Sequence, residues 1–157
     1  MPTLSLSGAS HPEGNTGNDD NYLTYTVTLS EASATPVSVG FRLLSGTGIE
    51  DSDGYFSFSG RELVFAAGET SKTIQVRLAG GTGAEPDESL VLELFNPRGA
   101  ALAGNEPTLR SVGWILDDDG TLAPQAAFVS SPQVVEGDAG QRFAAFEISL
   151  SRPATAA

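Results

Sequence analysis

The chain has 157 residues, 39% of them hydrophobic, which is enough for one domain with its own core and too apolar for a disordered polyanion. A formal net charge of −12 excludes nucleic acid and anionic membrane surfaces as natural partners and favours divalent cations. The absence of cysteine excludes disulfides and thiolate metal sites, and no apolar run approaches the roughly 20 residues of a membrane span, so membrane insertion is not expected.

From the start the apolar period is two. Met1-Pro2-Thr3-Leu4 lacks the basic start of a signal peptide and reads as the beginning of a fragment, or of a chain exported by another signal. Leu4 and Leu6 alternate with serines, and Leu23, Tyr25, Val27 and Leu29 alternate with threonines. Val37, Val39, Phe41 and Leu43 form a third strand. Phe56 and Phe58, then Leu63 and Phe65, supply a fourth. Ile74, Val76 and Leu78, then Leu90, Leu92 and Leu94, then Val112, Trp114 and Leu116 complete the set. Glycine, proline, serine and asparagine punctuate the intervals. Seven short half-buried strands and no helical period predict an all-β fold, an antiparallel seven-stranded immunoglobulin-like β-sandwich. Trp114, Phe41, Phe58 and Phe65 read as core.

A partial repeat follows. Pro132-Gln133-Val134-Val135-Glu136-Gly137-Asp138-Ala139-Gly140 echoes His11-Pro12-Glu13-Gly14-Asn15-Thr16-Gly17, and Phe146-Glu147-Ile148-Ser149-Leu150-Ser151 echoes Tyr25-Thr26-Val27-Thr28-Leu29-Ser30. Glu136 lies 123 residues after Glu13, and Leu150 lies 121 after Leu29. Residues 1–120 therefore read as a complete module, 121–124 as a linker, and 125–157 as the first two strands of a second, truncated copy from a tandem array.

If successive strands alternate in direction, the acids segregate. One pole collects Glu13, Asp19, Asp20, Glu50, Asp51, Asp53, Glu85, Asp87, Glu88 and the adjacent Asp117, Asp118 and Asp119; the other keeps Glu31, Glu69 and Glu106. No basic residue falls in the loops of the acidic pole. Adjacent carboxylates repel, by on the order of 4 kcal/mol per pair at about 4 Å and an effective dielectric near 20. Such a pole is either splayed into water or neutralised by a cation. Oxygen ligands in this number suit Ca2+, which takes about 6–8 of them, better than Mg2+ with its stricter octahedron; Zn2+ is disfavoured without cysteine and with His11 as the sole histidine.

Other motifs fail on their spacing. Asp51-Ser52-Asp53-Gly54 resembles part of an EF-hand loop, but Ile49 and Gly60 stand where acids are required. Gly80-Gly81-Thr82-Gly83-Ala84-Glu85 resembles a β-roll nonapeptide but occurs once, and β-rolls need stacked copies. A Ser-His-Asp triad would have to use His11, and no nucleophile elbow accompanies it. Glu85 and Glu88 could form a glycosidase pair, but no aromatic-lined cleft is indicated at that pole. No enzyme is expected.

The residues at this point resemble the Calx-beta domain family, named from calcium-binding domains of sodium–calcium exchangers and the beta-4 integrin tail and recurrent in bacterial surface proteins. The resemblance is carried by Glu13-Gly14, Gly46-Thr47, Ser52-Asp53-Gly54-Tyr55 and Leu63-Val64-Phe65-Ala66-Ala67-Gly68-Glu69-Thr70 with Lys72-Thr73-Ile74-Gln75-Val76. Glu85-Pro86-Asp87-Glu88 and Ile115-Leu116-Asp117-Asp118-Asp119 complete it. It implies calcium ligands at Glu13, Asp53, Glu85, Glu88, Asp117, Asp118 and Asp119, with Asp87 outside the ligand set. Two departures stand out. Gly80-Gly81-Thr82 occupies a stretch where the family often has acids, which implies one or two ions, and Gly54 splits the usual Asp-Tyr pair.

The expected function is a calcium-binding structural or adhesive module of an extracellular, cell-surface or secreted bacterial protein, with Ca2+ rigidifying the pole next to the following module. Its partners are neighbouring modules of the same chain. The alternative is a calcium-independent adhesive or filament-forming module that self-associates through residues 125–157 by strand donation.

Overall fold

A computed structural model describes residues 1–14, 21–44, 61–78, 80–119, 127–129 and 147–151. Among these the alternating segments form strands β1 (Thr3–Ser7), β2 (Ser10–Pro12), β3 (Tyr22–Leu29), β4 (Val37–Leu44), β5 (Arg61–Phe65) and β6 (Ser71–Arg77). They continue with β7 (Glu88–Arg98), β8 (Ala101–Leu102), a short 3-10 turn (Ala103–Asn105), β9 (Thr108–Leu116), β10 (Ala127–Val129) and β11 (Ile148–Leu150). One sheet has the order β6-β3-β1-β8, a second β2-β9-β7-β4-β5, and β10 and β11 form a separate pair. The long pairings are antiparallel, and the fold is an all-β immunoglobulin-like sandwich.

The period of two explains the packing, because alternate side chains of a strand face opposite sides. Leu23, Tyr25 and Val27 on β3 meet Val37 and Val39 on β4 and Leu90, Leu92 and Leu94 on β7 in one core cluster. Full burial of each such aliphatic chain is worth about 1.5–3 kcal/mol. Tyr25 spans the layers: its hydroxyl donates to the Leu90 carbonyl at 2.6 Å, which satisfies two polar groups inside the core.

Three details depart from the sequence expectation. The first strand is split, β1 lying in one sheet and β2 in the other. The change-over is at Gly8, where a Cβ would stand 2.1 Å from the Val112 carbonyl oxygen, so only glycine permits this approach. Second, β2 runs parallel to β9, with Ser10, His11 and Pro12 opposite Trp114, Ile115 and Leu116. Third, Trp114 is buried but lies outside the core cluster, as does Val91; both stand on the other face of the five-stranded sheet. Phe56 and Phe58 lie outside the described residues.

That outer face carries a charged row. Arg42, Glu93 and Arg110 are cross-strand neighbours on β4, β7 and β9. Glu93 is fully buried; its Oε1 accepts from Arg42 Nε at 2.7 Å and its Oε2 from Arg110 Nε at 2.7 Å. Burial opposes its ionisation, but the hydrogen bonds from Arg110 and Arg42 outweigh that and hold the carboxyl below its usual range. Arg42 also lies over the Phe95 ring, 5.1 Å from its centroid.

Candidate metal centre

The parallel pairing of β2 with β9 builds the acidic pole. Its register continues one residue further, the Glu13 amide donating to the Leu116 carbonyl at 2.8 Å. Glu13 is thereby set beside Asp117, and both are buried. Glu13, Asp117 and Asp119 each present a carboxylate oxygen, and these oxygens lie within 4.8 Å of one another. Two oxygens on opposite sides of a Ca2+ ion, with bonds near 2.4 Å, stand about 4.8 Å apart, so the three can share one such ion.

Backbone contacts hold this geometry. The Asn21 side-chain amide donates to the carbonyls of Pro12, at 3.2 Å, and Glu13, while the Asn21 carbonyl accepts from the Leu78 amide at 2.9 Å. Asn21 thus ties the Glu13 backbone to the end of β6. The segment after β6 then passes so close that a Cβ on Gly80 would stand 1.9 Å from the Gly14 carbonyl oxygen. At Gly81 a Cβ would lie 3.6 Å from both Glu13 Oε1 and Glu85 Oε1, so Glu85 flanks the group from this third segment. The Asp119 amide lies 3.4 Å from Asp117 Oδ1 and donates to it, and the Gly14 amide donates to Asp118 Oδ1 at 3.2 Å.

The electrostatics are those of a site short of positive charge. Burial first, then Glu85, Asp117, Asp119 and Asp118, push the Glu13 carboxyl from its ordinary 4.5 up to about 7. Glu13 Oε1 and Asp119 Oδ2 are buried without a hydrogen-bond partner among the described residues. Buried carboxylate oxygens in that condition are costly unless paired or bound to a metal. The donor set is hard oxygen throughout, so the residues present fit Ca2+.

The sequence-predicted residues do not all converge. Glu13, Asp117 and Asp119 form the group and Glu85 borders it. Asp118 is exposed and is engaged with the Gly14 amide. Glu88, half-buried, stands opposite Ile115 at the start of β7, outside the group. Asp53 lies outside the described residues, as do Asp19, Asp20, Glu50 and Asp51. Sequence reasoning missed Asn21, whereas Asp87, expected outside the ligand set, stands outside the group of three. Asp87 is buried, and its Oδ1 accepts from the Asp117 amide at 3.1 Å.

Comparison with known proteins gives a consistent result. No curated protein matches the chain. The crystal structure of the apo-form Calx CBD1 domain is similar at 21% identity and TM-score 0.60, over 76% of this chain and 99% of that one. That of CBD12 from CALX1.2 is similar at 21% identity and TM-score 0.58, over 74% of this chain and 44% of that one. The Calx CBD2 domain gives 14% identity and TM-score 0.54, over 74% and 88%. The chain thus spans less than half the length of the CBD12 structure, and at these identities the likeness establishes the fold. Among the described residues, no helix is long and apolar enough to cross a membrane. The Calx-beta domain family model matches residues 11–119, from β2 to the triple aspartate, and the chain belongs to the Calx-beta domain family.

Proposed function

We propose that this chain is a non-enzymatic calcium-binding module of an extracellular tandem-repeat protein, and that the ion sits at the pole facing the next module. The observation that carries the reading is the group formed by Glu13, Asp117 and Asp119, whose Glu13 Oε1 and Asp119 Oδ2 are buried without a partner among the described residues. These three residues would hold the ion, with Glu85 beside them; Asp118 and Glu88 stand outside the three. A bound Ca2+ supplies the positive charge that lets the three carboxylates ionise side by side. Residues 1–120 form the module, 121–124 the linker and 125–157 the start of a second copy. The pairing of Ala127, Phe128 and Val129 with Leu150, Ser149 and Ile148 supports this, since it repeats the register of Leu4, Ser5 and Leu6 with Leu29, Thr28 and Val27. Lack of cysteine accords with a secreted bacterial protein. Titration calorimetry of the full chain with Ca2+, paired with melting in calcium and in chelator, is the test. Binding heat and a raised melting temperature are expected; neither at millimolar Ca2+ would sink the proposal.

A second reading is favoured by Val129, Ile148 and Leu150, all exposed on β10 and β11. Their counterparts Val27 and Leu29 in β3 are buried in the core. In this reading residues 125–157 associate with a second copy of the chain and build a polymer without calcium. Concentration-dependent light scattering that persists in chelator would support it; a strict monomer would count against it.

A further inference from the structure

Asp87 lies behind the acidic group with both carboxylate oxygens engaged, and the two partners come from opposite ends of the molecule's logic. Oδ1 accepts from the amide of Asp117, one of the three grouped acids, at 3.1 Å. Oδ2 accepts from the hydroxyl of Ser151 at 2.6 Å. Asp87 is 2% exposed and Ser151 5%, so neither contact is a surface accident. An O–H donor on a carboxylate at this length is the strong, charge-assisted kind. Ser151 follows β11, beyond the residues that the family model matches.

The repeat shows what has changed at this position. Ser151 lies 121 residues after Ser30, the residue that follows β3. Ser30 is exposed and its Oγ accepts from the Thr3 amide at 3.0 Å, a contact within its own unit. Ser151 occupies the same place in the second copy and reaches back instead to Asp87 of the first.

We propose that Asp87 and Ser151 form a latch that couples ion occupancy at Glu13, Asp117 and Asp119 to the docking of the segment carrying Ser151. The proposal rests on the calcium reading above and names its regulation. Asp87 is a positioning residue. It fixes the backbone from which the Asp117 carboxylate projects, and Ser151 fixes the carboxylate of Asp87 in turn. Coupling of this kind is reciprocal: whatever docks Ser151 tightens the ion site, and the ion tightens the docking of Ser151. Partners that orient a metal ligand from behind commonly shift affinity by about 10–100-fold.

The test uses the full chain with Ser151→Ala and Ser151→Thr. Calorimetry with Ca2+ should show about tenfold weaker binding for Ser151→Ala, and recovery in Ser151→Thr, which keeps the hydroxyl. Hydrogen exchange should show the amides of residues 148–151 gaining protection on addition of Ca2+ in the wild-type chain and not in Ser151→Ala. Unchanged affinity in Ser151→Ala, or no calcium-dependent protection in the wild type, overturns the latch. A third arm separates the two readings. In chelator, a urea double-mutant cycle between Asp87→Asn and Ser151→Ala reads the contact without any ion. Non-additive losses in a chain that binds no Ca2+ would leave the contact standing and defeat both the calcium reading and its coupling. Additive losses in a chain that does bind Ca2+ would defeat the latch alone.

Discussion

The Glu13 amide donates to the Leu116 carbonyl at 2.8 Å, one step past the last parallel pair of β2 and β9. A strand register therefore decides which acids meet. Had β2 stayed in the sheet of β1, Glu13 would have no fixed relation to Asp117.

The first prediction concerns the two orphan oxygens. Glu13→Gln and Asp119→Asn each remove one negative charge from the group, so each variant should melt at or above the wild-type temperature in chelator. In calcium, each should lose most of the wild-type stabilisation. A ligand at about 1,000 times its Kd stabilises by about 4 kcal/mol, which for a chain of this size is a shift of many degrees. Differential scanning calorimetry with and without Ca2+ reads both effects.

Gly80 and Gly81 should behave oppositely. Gly80→Ala drives a methyl group into the Gly14 carbonyl, 1.9 Å from the Cβ position, and should both destabilise the fold and weaken calcium binding. Gly81→Asp has ordinary contact distance at 3.6 Å from Glu13 and Glu85, so its carboxylate points at the group without a clash. It should lower the melting temperature in chelator by repulsion and raise calcium affinity, or add a second bound ion, in calorimetry.

Glu93 sets a stability limit at low pH. Its folded carboxyl lies below the ordinary range, so its contribution is present above the unfolded value and is lost as pH falls through the folded one. Urea unfolding between neutral pH and about pH 3 should show this loss, and Glu93→Gln should flatten it. Removing both Arg42 and Arg110 leaves a buried carboxylate alone, and the double alanine variant should lose about 3 kcal/mol at neutral pH.

Tyr25→Phe keeps the ring and removes the hydroxyl that reaches Leu90. The buried Leu90 carbonyl then lacks that donor, so unfolding free energy should drop by about 1–3 kcal/mol with calcium affinity unchanged.

The sandwich was legible because Leu23 to Leu29 alternate with threonines without a break, and Leu90, Leu92 and Leu94 keep the same period although Val91 between them is apolar too. The split first strand was not, because Gly8-Ala9-Ser10 carries no apolar period and the change of sheet depends on the approach of Val112. At the pole, charge counting pointed to Glu13, Asp117 and Asp119 but could not separate them from Asp118, which is one residue out of phase and faces solvent. Asn21 escaped because its work is done on backbone carbonyls, which leaves no mark in composition, whereas Asp87, expected outside the ligand set, acts from there on the Asp117 amide. Trp114 reads as core and is buried, but on β9 it is Ile115 that joins the cluster between the sheets, so the alternation of Val112, Trp114 and Leu116 belongs to the far face.

The parallel pairing of β2 with β9 has a mechanical consequence. One strand lies near the point where the chain enters the module and the other where it leaves, and they point the same way. Tension along the chain pulls them in opposite directions, so Ser10, His11 and Pro12 slide against Trp114, Ile115 and Leu116, and the pairs resist together in shear. An ion joining Glu13 to Asp117 would rivet the end of that seam.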